Sequence, residues 1–170
     1  ALAGGLAAVT VQAVASAVGV TKGGFMHHFP TKQSLVDEIF AELMDAIDRE
    51  LDDAMANDPE PYGSFTRAYV TGALEMDWEG RRSPQAPLSA FMLTDPALRE
   101  VWSQWYAARM ERHRETDGDL KLGIVRLAAD GIWLAGIVNV VLPDRIALAK
   151  ALLASTRADD TTSSPRPRGR

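Results

Sequence analysis

The stretch Thr10–Lys32, TVQAVASAVGVTKGGFMHHFPTK, decides how the rest of the chain is read. Thr10 caps a helix, because its hydroxyl accepts from a first-turn N–H that has no partner within the helix. Val11, Val14, Ala15 and Val18 recur at helical spacing and give one short amphipathic helix. Gly19 stands where a C-cap needs positive φ, and Thr21 caps a second helix. Phe25 and Phe29 lie four apart and share one face of it. Pro30 ends this helix and Thr31 caps a third. Two short helices joined at a glycine, with aromatics behind the second, describe a helix-turn-helix. DNA binding is the first chemistry to test.

With Phe25 and Phe29 turned inward, His27 points directly away, with Gly23 and Gly24 beside it and Met26 and His28 on the flanks. Each glycine costs about 1 kcal/mol relative to alanine inside a helix. A backbone that must come close to DNA gives a reason for that cost. The competing reading is a poor helix held by tertiary packing, with the glycine pair incidental. His27-His28 is not a metal motif, since adjacent helical residues diverge by about 100° and share no ligand point.

Thr10-Val11, Ala15, Gly19-Val20-Thr21-Lys22-Gly23, Phe25, His28-Phe29, Lys32 and Leu35 together resemble the signature of TetR-family transcriptional repressors. The resemblance covers about the first forty residues; beyond them it extends only to helical layout and length. It implies a bacterial repressor whose Gln12, Lys22, Gly23 and Met26 face the major groove, with Thr21, Gly24 and His28 beside them. Thr10, His27 and Lys32 then lie nearer the phosphates. Gln12 is the candidate reader of adenine and Lys22 of guanine. Met26 stands where the family usually has Tyr. The chain opens at Ala1-Leu2-Ala3-Gly4-Gly5 without an initiator Met, so residues 1–5 are expected to be the end of the family's first helix, truncated here.

Charge is divided unevenly along the chain. The net charge is −5, yet residues 1–36 carry Lys22, Lys32 and no acid, leaving −7 for the remainder. An acid-free front on an acidic body is compatible with DNA contact, which depends on the local face. The absence of cysteine excludes disulfides, thiol catalysis and zinc fingers. No apolar run is long enough for a transmembrane helix. The expected compartment is the cytoplasm.

After the motif, Leu35, Ile39, Leu43, Ile47 and Leu51 step by four through a long helix, 31 to about 55, which Asn57-Asp58-Pro59-Glu60-Pro61 breaks. Further helices are expected over about 62–78 and 85–93, and from Asp95-Pro96 to near Gly118. The most apolar one spans 119–142. Its Ile124, Leu127, Leu134 and Val138 lie on one side, while Ile132 and Trp133 are among those spread over the others. A helix apolar nearly all round must be covered all round. The last helix is expected over 143–156 with Pro143 near its first position. Residues 158–170 read as a disordered tail.

The fold expected is all-α: an N-terminal helix-turn-helix unit of three helices and a C-terminal bundle of about five or six. The domains are a DNA-binding unit, 1–36, sharing the long helix 31–56, and a ligand-binding and dimerisation unit, 37–157. Ala128, Gly131, Ile132 and Ala135, with Ile146, Leu152 and Leu153, are the expected homodimer interface. All four tryptophans lie beyond the long helix, from Trp78 onward. Trp78, Trp102, Trp105 and Trp133, with Tyr69, Met76, Phe91 and Tyr106, are read either as core or as the lining of a cavity. The family resemblance favours a cavity for a small hydrophobic or aromatic ligand. His113 reads as a solvated helix-end residue, Asp52-Asp53 as solvated acids, and Arg126–Asp130 as an ion pair. No catalytic constellation, cofactor motif or metal site assembles, so an enzyme is not expected. Two function classes stand. One is a dimeric, ligand-responsive repressor on a pseudo-palindromic operator. The other is an all-α protein-interaction or small-molecule-binding module in which the helix-turn-helix is only a fold element.

Overall fold

The computed structural model describes residues 29–75, 90–138 and 140–158. Among them every regular element is a helix. The two helices of the helix-turn-helix, the expected helix start near residue 85 and the tail beyond residue 158 lie outside the described residues.

α1 runs Lys32–Ala56. Its start is a capping box: Thr31 Oγ1 accepts from the Ser34 N–H at 2.9 Å, and Ser34 Oγ from the Thr31 N–H at 3.2 Å. Leu35, Val36, Phe40, Leu43, Met44 and Leu51 form its buried stripe. The turn after it is closed by Gly63, at φ +71°. A Cβ there would lie 2.3 Å from the Thr156 carbonyl oxygen, so only glycine fits. α2, Ser64–Glu75, is the central helix, and the six consecutive residues Phe65–Val70 are all buried.

A 3-10 turn, Ala90–Leu93, precedes α3, Pro96–Arg112. Asp95 caps α3 by accepting from the N–H groups of Ala97 and Leu98, and Pro96 opens it. A single turn, α4 (Arg114–Asp117), leads to α5, Leu120–Ile137, capped by Asp119. α6, Arg145–Ser155, is capped by Asp144.

Two boundaries differ from the sequence expectation. α5 ends at Ile137, not 142: the Val140 N–H reaches back to the Ala135 carbonyl at 2.8 Å and closes the last turn early. Leu142, preceding Pro143, is disfavoured in helix. Pro143 itself lies just outside α6, where Asp144 rather than proline sets the start.

Two apolar cores meet along α1. One gathers Leu51, Phe65, Tyr69, Val70, Val125 and Ala129, with Leu152 and Leu153 of α6 against it. The other joins Val36, Phe40, Leu43 and Met44 to Met92 and Leu98. Ile47, Trp102 and Trp105 touch both. A shift of α1 therefore disturbs the packing of both cores.

Candidate functional site

The first part of the site is the front end of α1. Lys32 is its first residue and is exposed, next to the Thr31 cap. Thr10, Gln12, Thr21, Lys22, Gly23, Gly24, Met26, His27 and His28 lie outside the described residues, so their expected roles stay expectations.

The second part is a cavity of about 1120 Å³ between α1, α2, α3 and α5. Tyr69, Trp102 and Trp133, three of the residues expected there, line it. Ile47, Leu51, Met92 and Leu93 add apolar wall. Gly72 leaves open space in α2, with nothing within 4 Å of where a Cβ would stand. Trp105 and Tyr106 are not in the lining. Trp105 packs against Trp102 at a 36° tilt, ring centres 4.8 Å apart, and turns its indole N–H to Asp48 Oδ1 at 2.5 Å. The Tyr106 hydroxyl accepts from Arg126 Nε at 3.1 Å. Met76 and Trp78 lie outside the described residues, as does the side chain of Phe91.

Asp130 belongs to the cavity wall and was missed by sequence reasoning, which paired it with Arg126. The Tyr69 hydroxyl donates to Asp130 Oδ1 at 2.5 Å. Burial raises the pKa of Asp130, against the lowering effect of that hydrogen bond and of the Arg126 charge. Burial, and then the Asp130 charge, push the Tyr69 phenol up as well. The expected Arg126–Asp130 ion pair does not form. Arg126 turns the other way, donating to Thr66 Oγ1 at 2.6 Å and to the Asp117 carbonyl at 3.1 Å. Thr66 Oγ1 in turn donates to Asp117 Oδ1 at 2.6 Å. One hydroxyl thus joins two buried, opposite charges and satisfies both.

A third feature ties the cavity wall to α1. Arg109, 4% exposed on α3, donates to Asp52 at 2.5 Å and to Asp48 at 2.9 Å. Trp105, one turn earlier, shares Asp48. Hydrogen bonding to Arg109 holds the Asp52 pKa below its usual value, against desolvation. Asp52 is therefore a clamp residue and not the solvated acid expected. His113 also departs from expectation. Its ring stacks on Phe65 at 5.1 Å, nearly parallel at 6°, and its Nε2 is buried without a hydrogen-bond partner.

The fourth feature is an apolar face. Leu120, Ile124, Leu127, Leu134 and Val138 run along one side of α5 and are 43–80% exposed, and Ile146 of α6 is 69% exposed. Within one chain α5 is therefore covered on one side only. Of the residues expected at a dimer interface, Gly131 and Ile146 are exposed, Ala128 and Ala135 half-buried, and Ile132 buried. Leu152 and Leu153 pack on the chain's own core. Among the described residues no helix is long and apolar enough to cross a membrane.

Comparison with known proteins agrees with this arrangement. Residues 2–39 match the family described as bacterial regulatory proteins, tetR family. Residues 63–157 match the tetracyclin repressor-like C-terminal domain. Over 41 residues the chain is 46% identical to the HTH-type transcriptional repressor KstR2 of Rhodococcus jostii (strain RHA1). That stretch is 24% of this chain, and the chain spans about a fifth of that relative's length, 20%. A front unit and a C-terminal body that both match, the latter over more than half of the chain, place it: the chain belongs to the TetR family of DNA-binding transcriptional regulators.

Proposed function

We propose that this regulator is a repressor that binds a pseudo-palindromic operator as a homodimer and is released by a small hydrophobic or aromatic ligand. Residues 1–36 read the DNA and residues 37–157 bind ligand and partner. Gln12 and Lys22 read bases, while Thr10, His27 and Lys32 contact phosphates. The single observation that carries the ligand response is the position of α1. It walls a cavity of about 1120 Å³ at Ile47 and Leu51, and its first turn carries Lys32. A ligand that favours one tilt of α1 over another acts on whatever α1 begins. In a two-fold dimer the reading helices must stand about 34–36 Å apart to enter successive major grooves, so a tilt that changes the spacing releases DNA.

The dimer reading draws support from the exposed stripe on α5, in which Leu120, Ile124, Leu127, Leu134 and Val138 share one side, with Gly131 between Leu127 and Leu134. Burying it against its two-fold mate, with Ile146 alongside, gives a four-helix interface in which Gly131 admits close approach. Repression takes place where the DNA is, in the cytoplasm. A module without sequence-specific DNA recognition fits less well, because the residues matching the regulator family include the whole reading motif.

The experiment is a shift assay of labelled DNA from the regions flanking the protein's own gene, repeated with hydrophobic compounds while tryptophan fluorescence is followed. A compound that changes the fluorescence and releases DNA at the same concentration supports the reading. If no flanking DNA is bound in preference to random sequence, autoregulation through these regions fails. If every bound compound leaves operator affinity unchanged, release by ligand fails.

A further inference from the structure

The charge around the cavity carries information that its apolar walls do not. Glu50 and Asp53 of α1, Glu75 of α2, Glu100 of α3 and Asp130 of α5 border it, against Arg99 as the cation of the described lining. The first four are exposed, where water and salt screen them. Asp130 is different. It is half-buried, and its hydrogen bond comes from a neutral hydroxyl, that of Tyr69. Among the described residues the donor to Asp130 is the Tyr69 hydroxyl, at Oδ1. The guanidinium one turn away, Arg126, is committed to Thr66, Tyr106 and the Asp117 carbonyl. Desolvation disfavours the Asp130 carboxylate as it stands, so an entering positive charge relieves an existing cost. Tyr69, Trp102 and Trp133 line the same cavity, and aromatic rings attract cations as well as apolar surface.

We propose that the cavity takes an organic cation, an ammonium or amidinium carried on an apolar or aromatic body, with its charge on Asp130 and its body against Trp102 and Trp133. An anion of the same shape meets a ring of like charges, and a neutral isostere gains the apolar contacts alone. This inference rests on the ligand-responsive reading above and adds to it the sign of the ligand's charge.

Calorimetric titration of the full chain with three probes tests it: naphthylmethyl-trimethylammonium, its neutral isostere 1-neopentylnaphthalene, and naphthylacetate. The cation is expected to bind at least about ten-fold more tightly than the neutral isostere, with naphthylacetate weakest. Asp130→Asn should abolish the preference for the cation and leave the neutral isostere unchanged. Should that variant fail to fold, Arg99→Gln on the exposed rim decides. It should tighten the cation about two- to three-fold and leave the neutral isostere alone, as expected for a screened surface charge. A neutral isostere or an anion that binds as well as the cation overturns the inference while leaving a ligand cavity standing. If none of the three binds, the inference falls, and operator release by other compounds still decides the ligand-responsive reading separately.

Discussion

The Tyr69 hydroxyl of α2 donates to Asp130 Oδ1 of α5 at 2.5 Å, on the wall of the cavity. The bond holds together the two helices that share the first core, and it stabilises a carboxylate that burial disfavours. Tyr69→Phe keeps the ring and removes the donor. It should cost about 1.5–3 kcal/mol at pH 7, the range for a hydrogen bond to a charged group. The pH dependence has a definite sign. Asp130 titrates above its unfolded value of 3.8, so its contribution is a penalty at neutral pH that is relieved as pH falls through the folded pKa. Without the hydroxyl the folded pKa rises further. Urea melts should therefore show the Tyr69→Phe deficit shrinking as pH falls from 7 toward the unfolded value of 3.8, and a deficit independent of pH would mean that the hydroxyl acts by packing alone.

His113 gives the opposite kind of pH slope. Burial first, and then Arg112, lower its pKa below 6.5. As pH falls below 6.5 the unfolded chain takes the proton before the folded one, so stability drops until the folded pKa is passed. His113→Phe keeps the stack on Phe65 and removes a buried nitrogen without a partner. The variant should be within about 1 kcal/mol of the parent at pH 7 and the more stable of the two at pH 5. Thermal melts over that range read it directly; a parent with no slope to lose between the two pH values refutes the assignment.

Leu127 lies at the middle of the exposed α5 stripe, 69% exposed in one chain. Leu127→Glu should leave the helical signal of the folded protein unchanged and convert a dimer at micromolar concentration to a monomer by sedimentation. A like charge opposed to itself across a two-fold axis, desolvated, is strongly disfavoured. A protein that sediments as a monomer before substitution would end the proposal at once.

Lys32 is exposed at the start of α1. As a phosphate contact it should be indifferent to sequence. Lys32→Ala is expected to weaken all operators about equally and to reduce the slope of log affinity against log salt by about 0.9. A change in base preference at constant slope would assign Lys32 to readout.

Local signals in the sequence were enough to place most helix starts among the described residues. Thr31 and Asp95-Pro96 act within a few residues, and both caps form as their types dictate. The alignment of Ile124, Leu127, Leu134 and Val138 on one side of α5 was equally visible, because a 3.6-residue period needs no tertiary information. Partners distant in sequence were not visible. Arg126 could be paired with Asp130 at helical spacing, whereas its actual partners, Thr66 and Tyr106, come from other helices. The same holds for Asp52, which reads as a solvated acid until α3 brings Arg109 across 57 residues. Composition shows that a cavity of aromatics is feasible; only packing tells Trp102 and Trp133, which line it, from Trp105, which holds Asp48.

The clamp between α3 and α1 yields the last prediction. Arg109 and Trp105, four apart on α3, grip Asp48 and Asp52, four apart on α1. Trp102, one turn before the clamp on α3, lines the cavity. On the proposed ligand-responsive reading, a ligand pressing on Trp102 would displace α3, and the clamp would pass that displacement to α1. Arg109→Met preserves length and apolar packing while removing the ion pairs of the clamp, and leaves the Trp105 N–H on Asp48. The carboxylates it releases are 41% and 45% exposed and can take up water, so the stability cost should be about 1–2 kcal/mol rather than the 3–5 of a fully buried pair. Ligand affinity in the absence of DNA should change little, since Arg109 is not in the lining. What should fall is the ratio of operator affinities without and with saturating ligand. Coupling between two sites is a free energy of its own, and it can be lost while both sites remain intact. Measured on the folded protein below its melting range, a variant that still releases operator as fully as the parent would show that the signal reaches α1 through the shared cores at Ile47 and Met44 and not through the Arg109 ion pairs.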